Sequence, residues 1–165
     1  MSSIEIRQIR ETDIESFREA VDVVARERKY LHLTEAPPLA TIEQMIRRNI
    51  GRGSPLLVLV DGEKVVGWCN IEPLGRAVQA HVGGVAMGIL PDWRDRGLGT
   101  RLMRDALAAA DAFGYRRIEL SVYPSNPRAH ALYRKLGFVE EGVKRRSVLI
   151  DGVFYDEILM AIVRE

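Results

Sequence analysis

Cysteine is nearly absent from this 165-residue chain, and its scarcity sets the first limits on the chemistry. The single cysteine, Cys69, cannot form an intramolecular disulfide, and one thiol cannot build a cysteine-rich metal cluster. Cys69 lies within the apolar run of residues 65–71, so we expect a small buried side chain there rather than a reactive one.

Long hydrophobic segments and a charge excess are missing as well. The apolar stretches are much shorter than a membrane span, and the N-terminal residues MSSIEIRQIRETD lack the apolar core of a secretory signal. The 24 Lys and Arg residues nearly balance the 23 Asp and Glu residues, and the net charge of +1 gives no reason to expect nucleic-acid binding. We therefore expect a cytoplasmic protein with one domain over residues 1–165 that binds neither nucleic acid nor membrane.

The chain does contain alternating strand-like and helix-like segments. The first half predicts a strand, two helices capped by Thr12 and Thr41, and a β-hairpin that turns at Asp61-Gly62. The second half alternates strand and helix and ends in a hairpin that turns at Asp151-Gly152. This order predicts a mixed α/β fold, a sheet with helices on both faces.

Residues 85–100 carry the strongest chemical signal. They form an apolar strand, a short connection rich in Arg and Gly, and the first turn of a helix. A helix start presents unpaired backbone N–H groups and the positive end of the helix dipole, which favour a bound phosphate. Gly97 and Gly99 would let those amides approach an anion closely. The same glycines could instead serve only a tight turn, and both interpretations stay open.

Two common phosphate-binding motifs are not the explanation. The chain has neither a G-x-x-x-x-G-K-[ST] sequence nor a G-x-G-x-x-G after its first strand, which excludes a P-loop NTPase and the dinucleotide fingerprint. Residues 94–99, RDRGLG, instead match the [Gln/Arg]-x-x-Gly-x-[Gly/Ala] motif of the GNAT superfamily of N-acetyltransferases. Residues 126–138 match that family's N-x-x-A-x-x-L-Y-x-x-x-G-F pattern. The chain therefore resembles this family along essentially its whole length.

The resemblance implies a central sheet of about seven strands, opened between two of them, with about four helices. It implies acetyl-CoA as the acetyl donor and no metal. The pantetheine arm would pair with the backbone of Met87, Gly88 and Ile89. Asn126 would contact the cofactor, although Asn-Pro is also a plain helix cap. The pyrophosphate would lie on the amides of Arg94, Asp95, Arg96, Gly97, Leu98, Gly99 and Thr100.

Glycines in the central strand have two interpretations. Gly83, Gly84 and Gly88 are compatible with a bulge that begins the opening of the sheet, because glycine within a strand often marks one. Simple close packing would explain them equally well.

The resemblance also assigns roles in acetyl transfer. Tyr133 is the expected general acid, because a phenol with a reference pKa of about 10 is protonated at neutral pH and can protonate the leaving thiolate. Without the motif, Tyr133 would be interpreted as a core aromatic residue. A backbone N–H near residues 87–89 would stabilise the oxyanion. Many relatives carry a glutamate base on the central strand, but residues 85–90 contain none. Glu72, His81, Glu119 and a water chain all remain candidate bases.

The acceptor site is expected between the first two helices and at the final hairpin. The first region contains Arg28, Tyr30, His32 and Glu35. Residues 151–160 resemble family members that act on free amino acids or small amines. We therefore expect acetyl transfer to the primary amine of a small molecule by direct attack in a ternary complex. Acetylation of protein N-termini or lysines and a non-catalytic acyl-CoA sensor are the alternatives. The last strands of such sheets often pair across subunits, so a homodimer is also compatible with the resemblance.

Overall fold

Seven β-strands join in one sheet with the order β1-β2-β3-β4-β5-β7-β6 in the computed structural model, which describes residues 3–165. The strands are β1 (Ile4–Gln8), β2 (Leu56–Asp61), β3 (Lys64–Pro73), β4 (Val82–Ile89), β5 (Arg117–Val122), β6 (Val139–Ile150) and β7 (Val153–Val163). The α-helices are α1 (Ile14–Arg26), α2 (Leu39–Arg52), α3 (Leu98–Phe113) and α4 (Pro127–Lys135). β4 and β5 are parallel and the other neighbours are antiparallel, which confirms the predicted mixed sheet.

Two hydrophobic cores lie on opposite faces of this sheet. In β3 the neighbouring residues Trp68 and Cys69 point to opposite faces, as the period of two in a strand requires. Trp68 packs with residues of α1 and α2, whereas Cys69 packs with residues of α3 and with Tyr133 of α4. Helices therefore cover both faces as predicted, and Cys69 is fully buried. No helix within residues 3–165 is long and apolar enough to cross a membrane.

The helix starts differ from the sequence prediction. Thr12 does not cap α1, because it lies within the short 3-10 turn Glu11–Asp13 that precedes the helix. The Asp13 carboxylate accepts hydrogen bonds from the backbone N–H of Arg10 (2.8 Å) and from the Arg7 guanidinium (2.7 Å), so Asp13 organises this turn. Thr41 does not cap α2 either, since the helix follows Pro38 directly and Thr41 falls in its first turn.

The sheet opens between β4 and β5. These strands pair only at Val82–Arg117, Gly83–Ile118 and Gly84–Glu119, and they separate toward their carboxyl ends. No bulge interrupts the β3–β4 register from its first pair to its last, so the bulge interpretation of the β4 glycines is wrong. Close packing explains two of them. A Cβ on Gly83 would lie 2.6 Å from Cγ2 of Ile71. One on Gly88 would lie 2.4 Å from Cη2 of Trp68.

Candidate active site

A cavity of about 320 Å³ lies where β4 and β5 separate. Its walls come from the carboxyl ends of both strands, the connection after β4, the first turn of α3 and one face of α4. Most residues predicted from the two motifs line this single cavity: Met87, Gly88, Ile89, Arg94, Asp95, Gly97, Leu98, Gly99, Thr100, Asn126 and Tyr133. Arg96 does not line it and is exposed to solvent.

The N-terminus of α3 faces the cavity without a side-chain cap. Gly97 is the N-cap residue with φ of 73°, a left-handed conformation that a residue with a Cβ adopts only with strain. Because Gly97 has no side chain, the first N–H groups of α3 stay uncapped by it, and Leu98, Gly99 and Thr100 border the cavity. This geometry suits a phosphate group, which both the amides and the dipole of a 16-residue helix favour.

The side chain of Arg94 turns toward α1 instead of contributing a free charge to this site. Its guanidinium donates to the carbonyl oxygen of Ile89 (2.8 Å) and to both carboxylate oxygens of Glu27 (2.9 and 2.5 Å). The guanidinium carbon also lies 4.9 Å from the centre of the Tyr30 ring. Arg94 therefore links the segment between β4 and α3 to the end of α1 and to Tyr30 in the segment after α1.

Tyr133 is a buried cavity residue with a strongly perturbed phenol. Its ring meets the Phe138 ring edge-on at 5.7 Å. Burial, together with the nearby Cys69, raises the pKa of Tyr133 well above its ordinary value, so the phenol keeps its proton throughout the neutral range. Burial also raises the pKa of the Cys69 thiol to about 12, which leaves no thiolate for nucleophilic attack near neutral pH.

Asn126 serves as a helix cap in this structure. Its side-chain oxygen accepts a hydrogen bond from the backbone N–H of Ala129 at 3.3 Å, and Pro127 occupies the first helical position. The same residue borders the cavity, so its side chain stands between α4 and the space that a cofactor would fill.

The three candidate bases named from the sequence do not line the cavity. Glu72 is exposed near the end of β3, opposite Gly84. His81 is exposed just before β4. Glu119 lies at the paired end of β5 and accepts a hydrogen bond from Nε of Arg117 at 2.8 Å.

A buried carboxylate that the sequence reasoning missed lies next to the cavity. Glu157 of β7 accepts hydrogen bonds from the hydroxyls of Ser121 (2.6 Å) and Ser147 (2.8 Å), and it pairs with Nε2 of His32 (2.7 Å). Ser121 lines the cavity. The available sequence signal was an acidic residue directly before the apolar run of residues 158–163, at the same alternating phase as Tyr155.

Two side-chain contacts link the predicted acceptor regions. Arg28, which follows α1, bonds to Asp151 of the β6–β7 turn at 2.5 Å, and the His32–Glu157 pair lies further along the same connection. Tyr30 lines the cavity from this side. Glu35 instead pairs with Arg26, with 3.5 Å between the charged groups. The α1–α2 connection and the final hairpin therefore meet beside the opening of the sheet.

Comparisons with known proteins point to one family. The sequence model described as "Acetyltransferase (GNAT) family" matches residues 9–138. The L-amino acid N-acetyltransferase AaaT of Escherichia coli K12 is 30% identical over 99% of this chain and 100% of its own length. A GNAT-family acetyltransferase structure from Streptococcus pneumoniae superposes with a TM-score of 0.91 at 27% identity, covering 98% and 99% of the two chains. A phosphinothricin acetyltransferase from Sinorhizobium meliloti, solved with acetyl-CoA, has a TM-score of 0.90 at 20% identity, covering 99% and 89%.

Proposed function

The chain belongs to the GNAT acetyltransferase family, and from that premise we propose that it acetylates the primary amine of a free amino acid or a related small amine. Acetyl-CoA-dependent N-acetyl transfer is the activity of this family. The observation that carries the proposal is the cavity at the opening of the sheet, which is lined both by the uncapped N-terminus of α3 and by Tyr133.

The residues around the cavity fit a CoA ester. Gly97 and Gly99 leave the first amides of α3 accessible, and a Cβ on Gly99 would lie 3.5 Å from Cδ1 of Ile89 and from Cδ2 of Leu132, inside the cavity lining. When bound, acetyl-CoA supplies an acetyl group activated as a thioester. The amides of residues 94–100 would hold its diphosphate, and the backbone of Met87, Gly88 and Ile89 would pair with its pantetheine arm.

Two groups of this chain would then promote transfer. A backbone N–H near Gly88 donates to the carbonyl oxygen as negative charge develops on it. Tyr133 gives its phenolic proton to the departing thiolate, and its raised pKa keeps that proton available at neutral pH. The neutral amine attacks the thioester carbon directly in a ternary complex, the C–S bond breaks, and the proton that the amine nitrogen loses leaves through a water chain that also returns a proton to Tyr133. Cys69 does not act as a nucleophile, because its buried thiol keeps its proton.

The acceptor side favours a small molecule over a peptide. The α1–α2 connection is joined to the final hairpin by the Arg28–Asp151 and His32–Glu157 pairs, and Tyr30 of that connection lines the cavity. A peptide acceptor would need an open groove there. The full-length similarity to the amino-acid acetyltransferase supports the same class. By contrast, the N-alpha-acetyltransferase RimI of Mycobacterium tuberculosis matches only 55% of this chain.

A substrate panel tests this proposal directly. We expect thiol release from acetyl-CoA to be fastest with one or more L-amino acids, slower with polyamines, and slowest with peptides carrying free N-termini or lysines. A higher kcat/KM for the peptides would replace the small-molecule proposal with protein acetylation. Acetyl-CoA binding without turnover on any acceptor would favour the sensor alternative.

Two further proposals concern the state of the protein in the cell. A homodimer is supported by β6, an edge strand with Val139, Val143 and Leu149 exposed. Sedimentation of the wild type should give the dimer mass, and Val143→Lys should lower it to that of a monomer. A monomeric wild type would end this proposal. A cytoplasmic location stays a prediction from the sequence, and cell fractionation tests it.

A further inference from the structure

Ser121 lies between the cavity and a buried negative charge. Ser121 lines the cavity near the carboxyl end of β5, and its hydroxyl oxygen lies 2.6 Å from Oε2 of Glu157. The Glu157 side chain is only 8% exposed, and it is held from its other sides by Ser147 and His32. Glu157 itself does not line the cavity, so any influence on a bound acceptor passes through Ser121.

The charge state of Glu157 fixes the direction of this hydrogen bond. Burial alone would raise the pKa of Glu157, but the hydrogen bonds from Ser121 and Ser147 and the contact with His32 outweigh it and lower the pKa. The carboxyl is therefore ionised at neutral pH, and an ionised carboxylate can only accept hydrogen bonds. Ser121 must be the donor, so its oxygen can only accept a hydrogen bond from the cavity side.

An acceptor-only oxygen suits the reacting amine. A neutral primary amine has two N–H donors and one lone pair, and the lone pair must stay free to attack the thioester carbon. A group that donated a hydrogen bond to the amine would occupy that lone pair, whereas an oxygen that accepts from an N–H leaves it free.

From this geometry we propose that Ser121 binds the acceptor amine through its Oγ and that Glu157, itself held by His32 and Ser147, positions the Ser121 hydroxyl for that contact. The proposal rests on the N-acetyltransferase function and names the amine-binding group within it. Ser121 contacts the substrate, whereas Glu157 acts through Ser121 and is a positioning residue.

A shape-matched pair of variants tests the role of Ser121. Ser121→Thr keeps a hydroxyl, and Ser121→Val has nearly the same shape as the threonine variant but no hydroxyl. We expect kcat/KM for the amine to fall by about 10- to 100-fold in the valine variant, the range for losing one hydrogen bond near a charge, and to stay close to wild type in the threonine variant. The affinity for acetyl-CoA, measured by calorimetry, should be the same in both. Equal kcat/KM values for the two variants would overturn the proposal.

A double-mutant cycle tests the positioning by Glu157. Glu157→Gln keeps the size of the side chain, but its amide can donate to Ser121, which frees the Ser121 hydroxyl to turn toward the cavity. We expect this variant to lose activity mainly through a higher KM for the amine. The Ser121→Val/Glu157→Gln double variant should be no worse than Ser121→Val alone. If the activity losses of the two single variants add up in the double variant, Glu157 acts independently of Ser121, and the positioning role of Glu157 is overturned.

Glu141→Gln is the control for the carboxylate. Glu141 of β6 is exposed and accepts a hydrogen bond from Arg117 at 3.0 Å, outside the cavity lining. Its kcat/KM should match the wild type, and a loss equal to that of Glu157→Gln would count against a specific role. A wild-type protein that acetylates no amine would refute the parent function. An active wild type with equal Ser121 variants would refute this inference alone.

Discussion

The phenol of Tyr133 provides the most direct test of the chemistry at the scale of a single residue. Phenylalanine keeps the edge-on contact with Phe138 but removes the proton that the thiolate would take. We expect Tyr133→Phe to lower kcat by about 100- to 10,000-fold, the usual range for general acid catalysis. The affinity for acetyl-CoA should stay at the wild-type value, measured by calorimetry on the same preparation.

Tyr115→Phe is the control for that substitution. Tyr115 is equally buried, and its hydroxyl donates to the carbonyl oxygen of Ile71 at 3.4 Å, outside the cavity. It should leave kcat within about twofold of wild type, because the lost hydrogen bond contributes to stability and not to the reaction. If Tyr133→Phe behaves like this control, another group protonates the thiolate.

Gly88 gives a packing prediction at the same scale. A Cβ at this position would lie 2.4 Å from the Trp68 indole, and Trp68 is itself held against Phe17 at 5.8 Å between ring centroids. We expect Gly88→Ala to lower the free energy of unfolding by about 1–3 kcal/mol, measured by urea denaturation, as overpacking of a core does. Gly142→Ala meets no atom within 4 Å and should change stability much less. Equal losses in both variants would contradict the packing explanation.

Sequence reasoning reached the site residues that lie within continuous motifs and missed those brought together by the fold. Gly97 lies in one continuous motif and Asn126 and Tyr133 in another, and the family resemblance implied that the two motifs meet at one site. Glu157 meets His32 across 125 residues, and no local pattern records such a contact. The direction of the Arg94 side chain was equally hidden, because its partner Glu27 lies 67 residues away.

At the scale of an element, the start of α3 depends on the left-handed conformation of Gly97. An alanine at φ of 73° would be strained by about 1–2 kcal/mol and would rotate the amides that face the cavity. We expect Gly97→Ala to weaken acetyl-CoA binding several-fold, measured by calorimetry. Gly62→Ala, at φ of 64° in the β2–β3 turn, should lose similar stability without a change in acetyl-CoA affinity. Unaltered affinity in Gly97→Ala would argue against phosphate binding at these amides.

Hairpin turns were easier to predict than helix starts. The hairpin turns at Gly62 and Gly152 require a positive φ, and the Asp-Gly sequence at each position predicts such a turn. The starts of α1 and α2 were predicted at threonines, but Asp13 and Pro38 determine them. Either residue type can begin a helix, and the choice depends on the tertiary partner, here the Arg7 guanidinium from β1 for Asp13.

At the scale of the whole molecule, the Arg7–Asp13 pair should make the free energy of unfolding depend on pH in the acid range. Burial alone would raise the pKa of Asp13, but the hydrogen bond from Arg7 and that from the Arg10 backbone lower it overall. A lowered pKa means that the stabilisation is present above the unfolded-state pKa of about 3.9 and is lost as the pH falls through the folded value. We expect Asp13→Asn to cost about 1–3 kcal/mol of unfolding free energy near neutral pH.

The difference between wild type and Asp13→Asn should shrink as the pH is lowered below about 4, because protonated Asp13 resembles asparagine. Urea denaturation of both proteins over this range measures the effect. A difference that stays constant down to acid unfolding would mean that the charge on Asp13 does not contribute.

The alternation of strands and helices predicted the sheet, yet the length of the β4–β5 pairing could not be read from it. Both strands look continuous in sequence, and the pairing ends after three residue pairs because the strands diverge in space. The family resemblance supplied that expectation, and residue patterns alone did not.

The three pairs between β4 and β5 are the fewest that join any neighbouring strands of this sheet. Beyond these pairs the two strands have separated, so the backbone amides of residues 85–89 and 120–122 that point across the seam have no partner strand there, and deuterium should reach them early in an exchange experiment. A CoA ester seated between the strands would protect those same amides. Deuterium uptake at these amides would therefore report whether the site is occupied, even in variants that have lost catalytic activity.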